Sequence, residues 1–149
     1  MKLYLARHGE AEPAAMNPER PLSPFGVEQS RRVAHALKTQ GAAPAAVFHS
    51  GKTRARQTAE IIAESVAPGV PVTVMPGLEP DDPILPIAGH AAGFTADTML
   101  VGHLPFLEKL ASWLLYGHDQ AEPVFFSPGT VACLSRNGDS WSLDSIETP

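Results

Sequence analysis

The residues Arg7-His8-Gly9 directly follow a short apolar run, Leu3 to Ala6, and set a guanidinium beside an imidazole. Arginine presents a planar fork of donors that matches phosphate, and neutral imidazole is a good nucleophile at neutral pH. A glycine after the pair lets the backbone approach a ligand or turn left-handed. The triplet points to a histidine that attacks phosphorus. Two further polar groups sit in the same context, His49-Ser50 after Ala45–Phe48 and Gly102-His103 after Thr98–Val101. Any strand can end in a charge and a histidine; the recurrence at three strand ends is what points to a shared site.

The elements that must position these groups follow from periodicity and punctuation. Leu3 to Ala6 reads as a buried strand. Ser23 can cap a helix with Pro24 at its first position and Gly41 beyond its end, and Val27, Val33, Ala34 and Leu37 give that helix an apolar face. A strand over Ala45–Phe48 precedes a helix from Thr53 to Val66, where Ala55, Ala59, Ile62, Ala63 and Val66 share one face. Val70 to Met75 is expected as a strand, and Asp82 to Gly93 as a short helix punctuated by Pro83 and Pro86. Thr98–Val101 is a further strand, followed by an apolar helix from Leu104 to Tyr116 with Pro105 in its first turn. Trp113 and Leu114-Leu115 belong in the core of that helix's packing. Two last strands, Gly129 to Ser135 and Trp141 to Ile146, are joined by a turn at Asn137-Gly138. Strands alternating with helices predict a three-layer α/β/α sandwich with a mostly parallel central sheet. Ligands of such sheets bind beyond the carboxyl ends of the strands, where all three polar groups lie.

Composition bounds the reading. A chain of 149 residues fits one domain spanning residues 1–149, and 44% hydrophobic with 18% charged residues is a globular balance. The net charge of −5 gives no global attraction to nucleic acid or to an anionic membrane, so any phosphate pocket must be locally positive. A single cysteine, Cys133, excludes an internal disulfide and cysteine-based zinc sites, and its apolar neighbours make it a small core residue. No basic start leads into a long apolar stretch, which makes cytoplasmic residence the default. The six histidines show no ligand pair at helical metal-binding spacing, and no metal or other cofactor is expected. His35, His90 and His118 belong to no motif.

Leu5-Ala-Arg-His-Gly9, Ser50-Gly-Lys-Thr-Arg-Ala-Arg-Gln-Thr58 and Val101-Gly-His-Leu-Pro105, in that order and spacing, resemble the histidine phosphatase superfamily. The short length and Arg20-Pro-Leu-Ser-Pro-Phe-Gly26 resemble its SixA-type phosphohistidine phosphatase branch, to about Leu115. The resemblance implies a phosphoglycerate mutase-like fold. It also implies His8 as a nucleophile that becomes phosphorylated, with Arg7, Arg54 and His103 holding the phosphoryl oxygens. Arg54 matches the family spacing and its neighbour Arg56 does not, although a lone helix arginine is usually a solvated charge. A lone His103 would more often be structural. His49 could border the pocket.

Many superfamily members have a glutamate that protonates the leaving alcohol, and Glu79 in Pro76-Gly-Leu-Glu-Pro-Asp-Asp82 is the candidate here. Its plainer reading is a solvated loop acid beside Asp81 and Asp82. An alkoxide needs a positioned acid, whereas protonated phosphohistidine expels neutral imidazole, whose conjugate acid has a pKa of about 6.5. The short stretch between Glu79 and His103 leaves little room for a lid. Both features favour a metal-independent phosphatase acting on phosphohistidine of a protein, such as a histidine phosphotransfer domain. The alternatives are a broad-specificity phosphomonoesterase of small phosphoesters and, in another class, a non-catalytic phosphate-binding or phosphoprotein-binding module. A binder would need only the cations, so the presence of His8 argues against the last.

Overall fold

The computed structural model describes residues Met1–Pro149. Its elements in chain order are β1 (Lys2–Arg7), α1 (Pro24–Thr39), β2 (Ala46–His49), α2 (Thr53–Val66) and β3 (Val72–Val74). They continue with α3 (Leu85–Ala92), β4 (Thr98–Gly102), α4 (Phe106–Tyr116), β5 (Val131–Asn137) and β6 (Ser140–Glu147). One six-stranded sheet runs in the order β3-β2-β4-β1-β5-β6. The first four strands of that order are mutually parallel, and β5 and β6 close the other edge as antiparallel neighbours. The expected α/β/α sandwich with a mostly parallel sheet is what forms.

Period-two alternation divides the core. Leu3 and Leu5 of β1 point into one cluster with Leu100, Leu107, Leu110 and Ile87, beneath α3 and α4. Tyr4 and Ala6 point into the other with Val33, Leu37, Ala59 and Ile62, beneath α1 and α2. Both faces of β1 are therefore apolar, as expected of a central strand covered by helices on each side.

Local chemistry explains the boundaries. Ser23 caps α1, its Oγ accepting the Gly26 N–H at 3.0 Å, with Pro24 first in the helix. The bounds of α2 coincide with those expected from its apolar face. Several expectations shift, among them the start of α4, at Phe106 after Pro105, and β5, which runs over Val131–Asn137 and takes Asn137 out of the turn. The strand expected over Val70 to Met75 shortens to Val72–Val74 at the sheet edge, where Val74 is 55% exposed. The helix expected from Asp82 begins only at Leu85, because prolines at 83 and 86 are accommodated before the helix and in its first turn. Trp113 sits at the rim of α4, 37% exposed, while Leu107, Leu110 and Ala111 fill the core. Cys133 is free and buried in β5. No helix is long and apolar enough to cross a membrane.

Two glycines set the clearance above the sheet. A Cβ at Gly9 would stand 2.7 Å from the Gly26 carbonyl oxygen, and one at Gly26 would stand 2.0 Å from the Glu10 carbonyl oxygen. The loop after β1 thus lies directly on the first turn of α1. Gly89 in α3 faces open space. Gly26→Ala should cost at least about 3 kcal/mol by forcing backbone apart, while Gly89→Ala should stabilise by up to about 1 kcal/mol through helix propensity. Denaturant midpoints of the two variants check this contrast.

Candidate active site

The carboxyl ends of β1, β2 and β4 bring three of the sequence motifs to one edge of the sheet. His8 is clamped on both sides, its N–H donating to the Gly102 carbonyl at 3.1 Å and its carbonyl accepting from the Gly129 N–H at 3.0 Å. The Arg7 N–H donates to the Thr130 carbonyl at 2.9 Å, and its Nη1 donates to the Phe126 carbonyl at 2.8 Å. Thr58 of α2 accepts the Gly9 N–H at 3.1 Å and donates to the Arg54 carbonyl at 2.9 Å. That one hydroxyl ties the loop carrying His8 to the turn carrying Arg54.

The His8 ring is oriented by a backbone carbonyl. Its Nδ1 lies 2.6 Å from the Gly9 oxygen, and a carbonyl can only accept, so the proton sits on Nδ1 and the Nε2 lone pair is free. Burial, opposed by that carbonyl and assisted by Arg54, Arg7 and Arg20, lowers the His8 pKa to about 4. His8 is therefore neutral at physiological pH. The His103 ring centroid lies 5.0 Å from that of His8. Burial first, then His8, Arg54, Lys52 and Arg7, lower the His103 pKa to about 3. Its Nε2 stands 2.6 Å from Ser50 Oγ.

Burial also lowers the Arg7 and Arg54 pKa values from the usual arginine value, but arginine remains charged at neutral pH. Neither guanidinium forms a salt bridge; the ion pairs of the chain are Arg32–Glu28, Lys52–Glu79 and Arg56–Glu60. Three buried side-chain polar atoms lack any hydrogen-bond partner: Arg7 Nε, Arg54 Nε and His103 Nδ1. Unsatisfied buried polar atoms are rare in folded proteins, and here all three surround one histidine with a free lone pair. His103 lies three residues before Phe106, the first residue of α4, and its carbonyl accepts the Leu107 N–H at 2.9 Å. The arrangement can receive a tetrahedral oxyanion opposite a nucleophilic nitrogen.

The other sequence candidates fall outside this cluster. Arg56 lies on the outer face of α2, 3.0 Å from Glu60. Glu79 lies in the loop between β3 and α3, half exposed, its carboxylate 3.2 Å from Lys52 Nζ. It shares an open cavity of about 290 Å³ with Lys52, Asp81 and Asp82. His49 points with Val47 toward the α2 face and accepts the Gly51 N–H on Nδ1 at 3.0 Å, so it braces the turn after β2 and does not line the pocket. His35, His90 and His118 are exposed, and no three His, Cys, Asp or Glu side chains are grouped to hold a metal ion. Arg20 was not singled out from the sequence as a site residue. Its guanidinium Nε donates to the Glu12 carbonyl at 3.1 Å, its φ of 49° lies in the left-handed region, and its charge acts on both His8 and Arg54. The only signal for it was its place in the Arg20–Gly26 segment.

Comparison with known proteins accords with this geometry. The phosphohistidine phosphatase SixA of Escherichia coli K12 is 28% identical over 153 residues, covering 96% of this chain and 93% of its own length. A solved structure of the protein histidine phosphatase SixA complexed with tungstate superposes with a TM-score of 0.89 at 25% identity, covering 99% of this chain and 97% of that one. The likeness therefore continues past Leu115 through β5 and β6, further than the motifs alone implied. A phosphoserine phosphatase of Entamoeba histolytica in complex with 3-phosphoglyceric acid shares the fold, with a TM-score of 0.74 at 16% identity over 99% of this chain and 97% of that one. The model of the histidine phosphatase superfamily, branch 1, matches residues 3–80. The chain belongs to the histidine phosphatase superfamily.

Proposed function

We propose that this chain is a metal-independent phosphohistidine phosphatase, with His8 as the nucleophile and Arg7, Arg54 and His103 as the phosphoryl-binding groups. The observation that carries this reading is the set of three buried, unpartnered polar atoms, two of them guanidinium donors, around a neutral His8. Phosphoryl transfer spreads charge over the equatorial oxygens, so catalysis is mostly positioning and electrostatic stabilisation. His8 Nε2 forms a bond to phosphorus as the P–N bond to the substrate breaks, and the leaving imidazole keeps the electron pair. The His8 ring gains positive charge as it bonds, and the Gly9 carbonyl on Nδ1–H then holds it more strongly than in the free enzyme. Water then attacks the phosphorus, the P–Nε2 bond breaks with its electron pair returning to His8, and the water protons leave on inorganic phosphate, restoring the neutral ring.

The substrate class follows from the leaving group and from access. Glu79 is held by Lys52 at the rim, and we assign it to protonating an alcohol leaving group when one is presented. Phosphohistidine does not require that proton. The connections between β3 and β4 contain α3 and short loops without an inserted covering element, so a side chain carried on another protein can reach the site. Phe125 stands 85% exposed one residue before the carbonyl that holds Arg7, an apolar contact suited to a protein bearing the phosphohistidine. The E. coli SixA relative, a phosphohistidine phosphatase by name, supports the same class. Residence in the cytoplasm, without nucleic-acid or membrane partners, is part of the same proposal.

Phosphate release from a phosphohistidine protein, measured beside phosphoserine and a sugar phosphate, should favour phosphohistidine and be unaffected by chelator. Preference for the sugar phosphate would move the assignment to a small-molecule phosphatase. His8→Ala should abolish turnover. Arg54→Ala should lower kcat/KM at least about a hundredfold and Arg56→Ala by less than about threefold. Glu79→Gln should spare phosphohistidine while reducing any turnover of sugar phosphates. With the His8 pKa lowered to about 4, the nucleophile stays unprotonated well below the ordinary histidine range. The acid limb of kcat/KM against pH should therefore fall near 4, and a midpoint near 6.5 would contradict the burial of His8.

A further inference from the structure

We propose that Ser50 is a positioning residue whose hydroxyl donates to His103 Nε2 and thereby fixes His103 as an Nδ1–H donor. The inference rests on the reading of His103 as a phosphoryl-binding group. It concerns a contact across 53 residues of sequence, at 2.6 Å and fully inside the fold.

The direction of that hydrogen bond follows from counting protons. The Lys52 backbone N–H can only donate, and it reaches Ser50 Oγ at 3.3 Å. Ser50 is buried, 8% exposed, and its hydroxyl contacts no other group, so its single hydrogen has one available acceptor, His103 Nε2. Were the proton on Nε2 instead, Ser50 would accept twice and its own hydrogen would be buried without a partner. His103 Nδ1 would then be a buried lone pair beside two guanidiniums, in the place where a phosphoryl oxygen must be met by a donor. With Ser50 donating, every proton of the pair is used except Nδ1–H, and that atom is the one left unpartnered.

This arrangement reverses an intrinsic preference, since neutral histidine in water favours the Nε2–H form. The turn that delivers Ser50 is itself braced by His49 Nδ1 on the Gly51 N–H. His103 thus offers the phosphoryl group an N–H that strengthens as charge builds, with no net charge of its own to be neutralised.

Ring nitrogen resonances of 15N-labelled protein test the proposal directly. In the wild-type chain, His103 should show a protonated Nδ1 and an unprotonated Nε2, and inorganic phosphate should shift the Nδ1 signal. Ser50→Ala should move the proton partly to Nε2 and lower kcat about tenfold, with KM changed less than about threefold. Ser50→Thr, which keeps the hydroxyl, should restore both. Should Ser50→Ala fail to fold, the wild-type and Ser50→Thr spectra still decide. An Nε2–H form in an active enzyme overturns the Ser50 assignment alone, as does a Ser50→Ala variant with unchanged tautomer and kcat. An Nδ1–H form that responds to phosphate in a chain without turnover upholds the Ser50 assignment and overturns the catalytic reading.

Discussion

Two guanidiniums held partly out of water with no carboxylate to meet them are the constraint on which the site depends. Desolvating a charge is costly, and a protein normally offsets it with an ion pair. Arg7 and Arg54 have none, and their unpartnered Nε atoms leave that cost standing in the free protein. A phosphoryl group that reaches them supplies the missing anion. The acidic charge of the chain as a whole is no obstacle, because the positive field is confined to one sheet edge.

The fold maintains this arrangement by backbone hydrogen bonds more than by side chains. His8 cannot relax away from the cations, since β4 holds its N–H and the loop before β5 holds its carbonyl. Thr58 joins the Gly9 amide to the first turn of α2, and the contact of Gly26 with Glu10 closes α1 over the loop. The antiparallel pair β5 and β6 supports the other side, presenting Thr130 and Gly129 to Arg7 and His8. The proposed nucleophile is therefore fixed by both halves of a sheet whose faces are buried independently. Preorganised donors of this kind need no rearrangement when charge develops on a phosphoryl group.

Much of this was legible in the sequence where local physics decides. The apolar face of α2 and the Ser23-Pro24 start of α1 placed those helices closely, and the run Leu3 to Ala6 put Arg7 and His8 at a strand end. Edge and loop behaviour was less visible. Val72–Val74 is shorter than its apolar run because it has a neighbour on one side only, and prolines delay α3. The contact of Ser50 with His103 had no signature, because side chains far apart in sequence meet only through the sheet order. His49 was misleading for a related reason: as the last residue of β2 it shares the α2 face with Val47, and only past the strand end does the chain turn Ser50 toward His103. Arg20 depends on a left-handed backbone that its residue type does not announce.

The central claim is that phosphate passes through a covalent bond to His8 Nε2. Quenching the protein in alkali during turnover of a phosphohistidine protein, then recording 31P spectra and mapping the labelled peptide, tests it most directly. The account predicts an alkali-stable, acid-labile phosphate on His8 bonded through Nε2. Turnover with no phosphorylated protein, or with the phosphate on another residue, would contradict it.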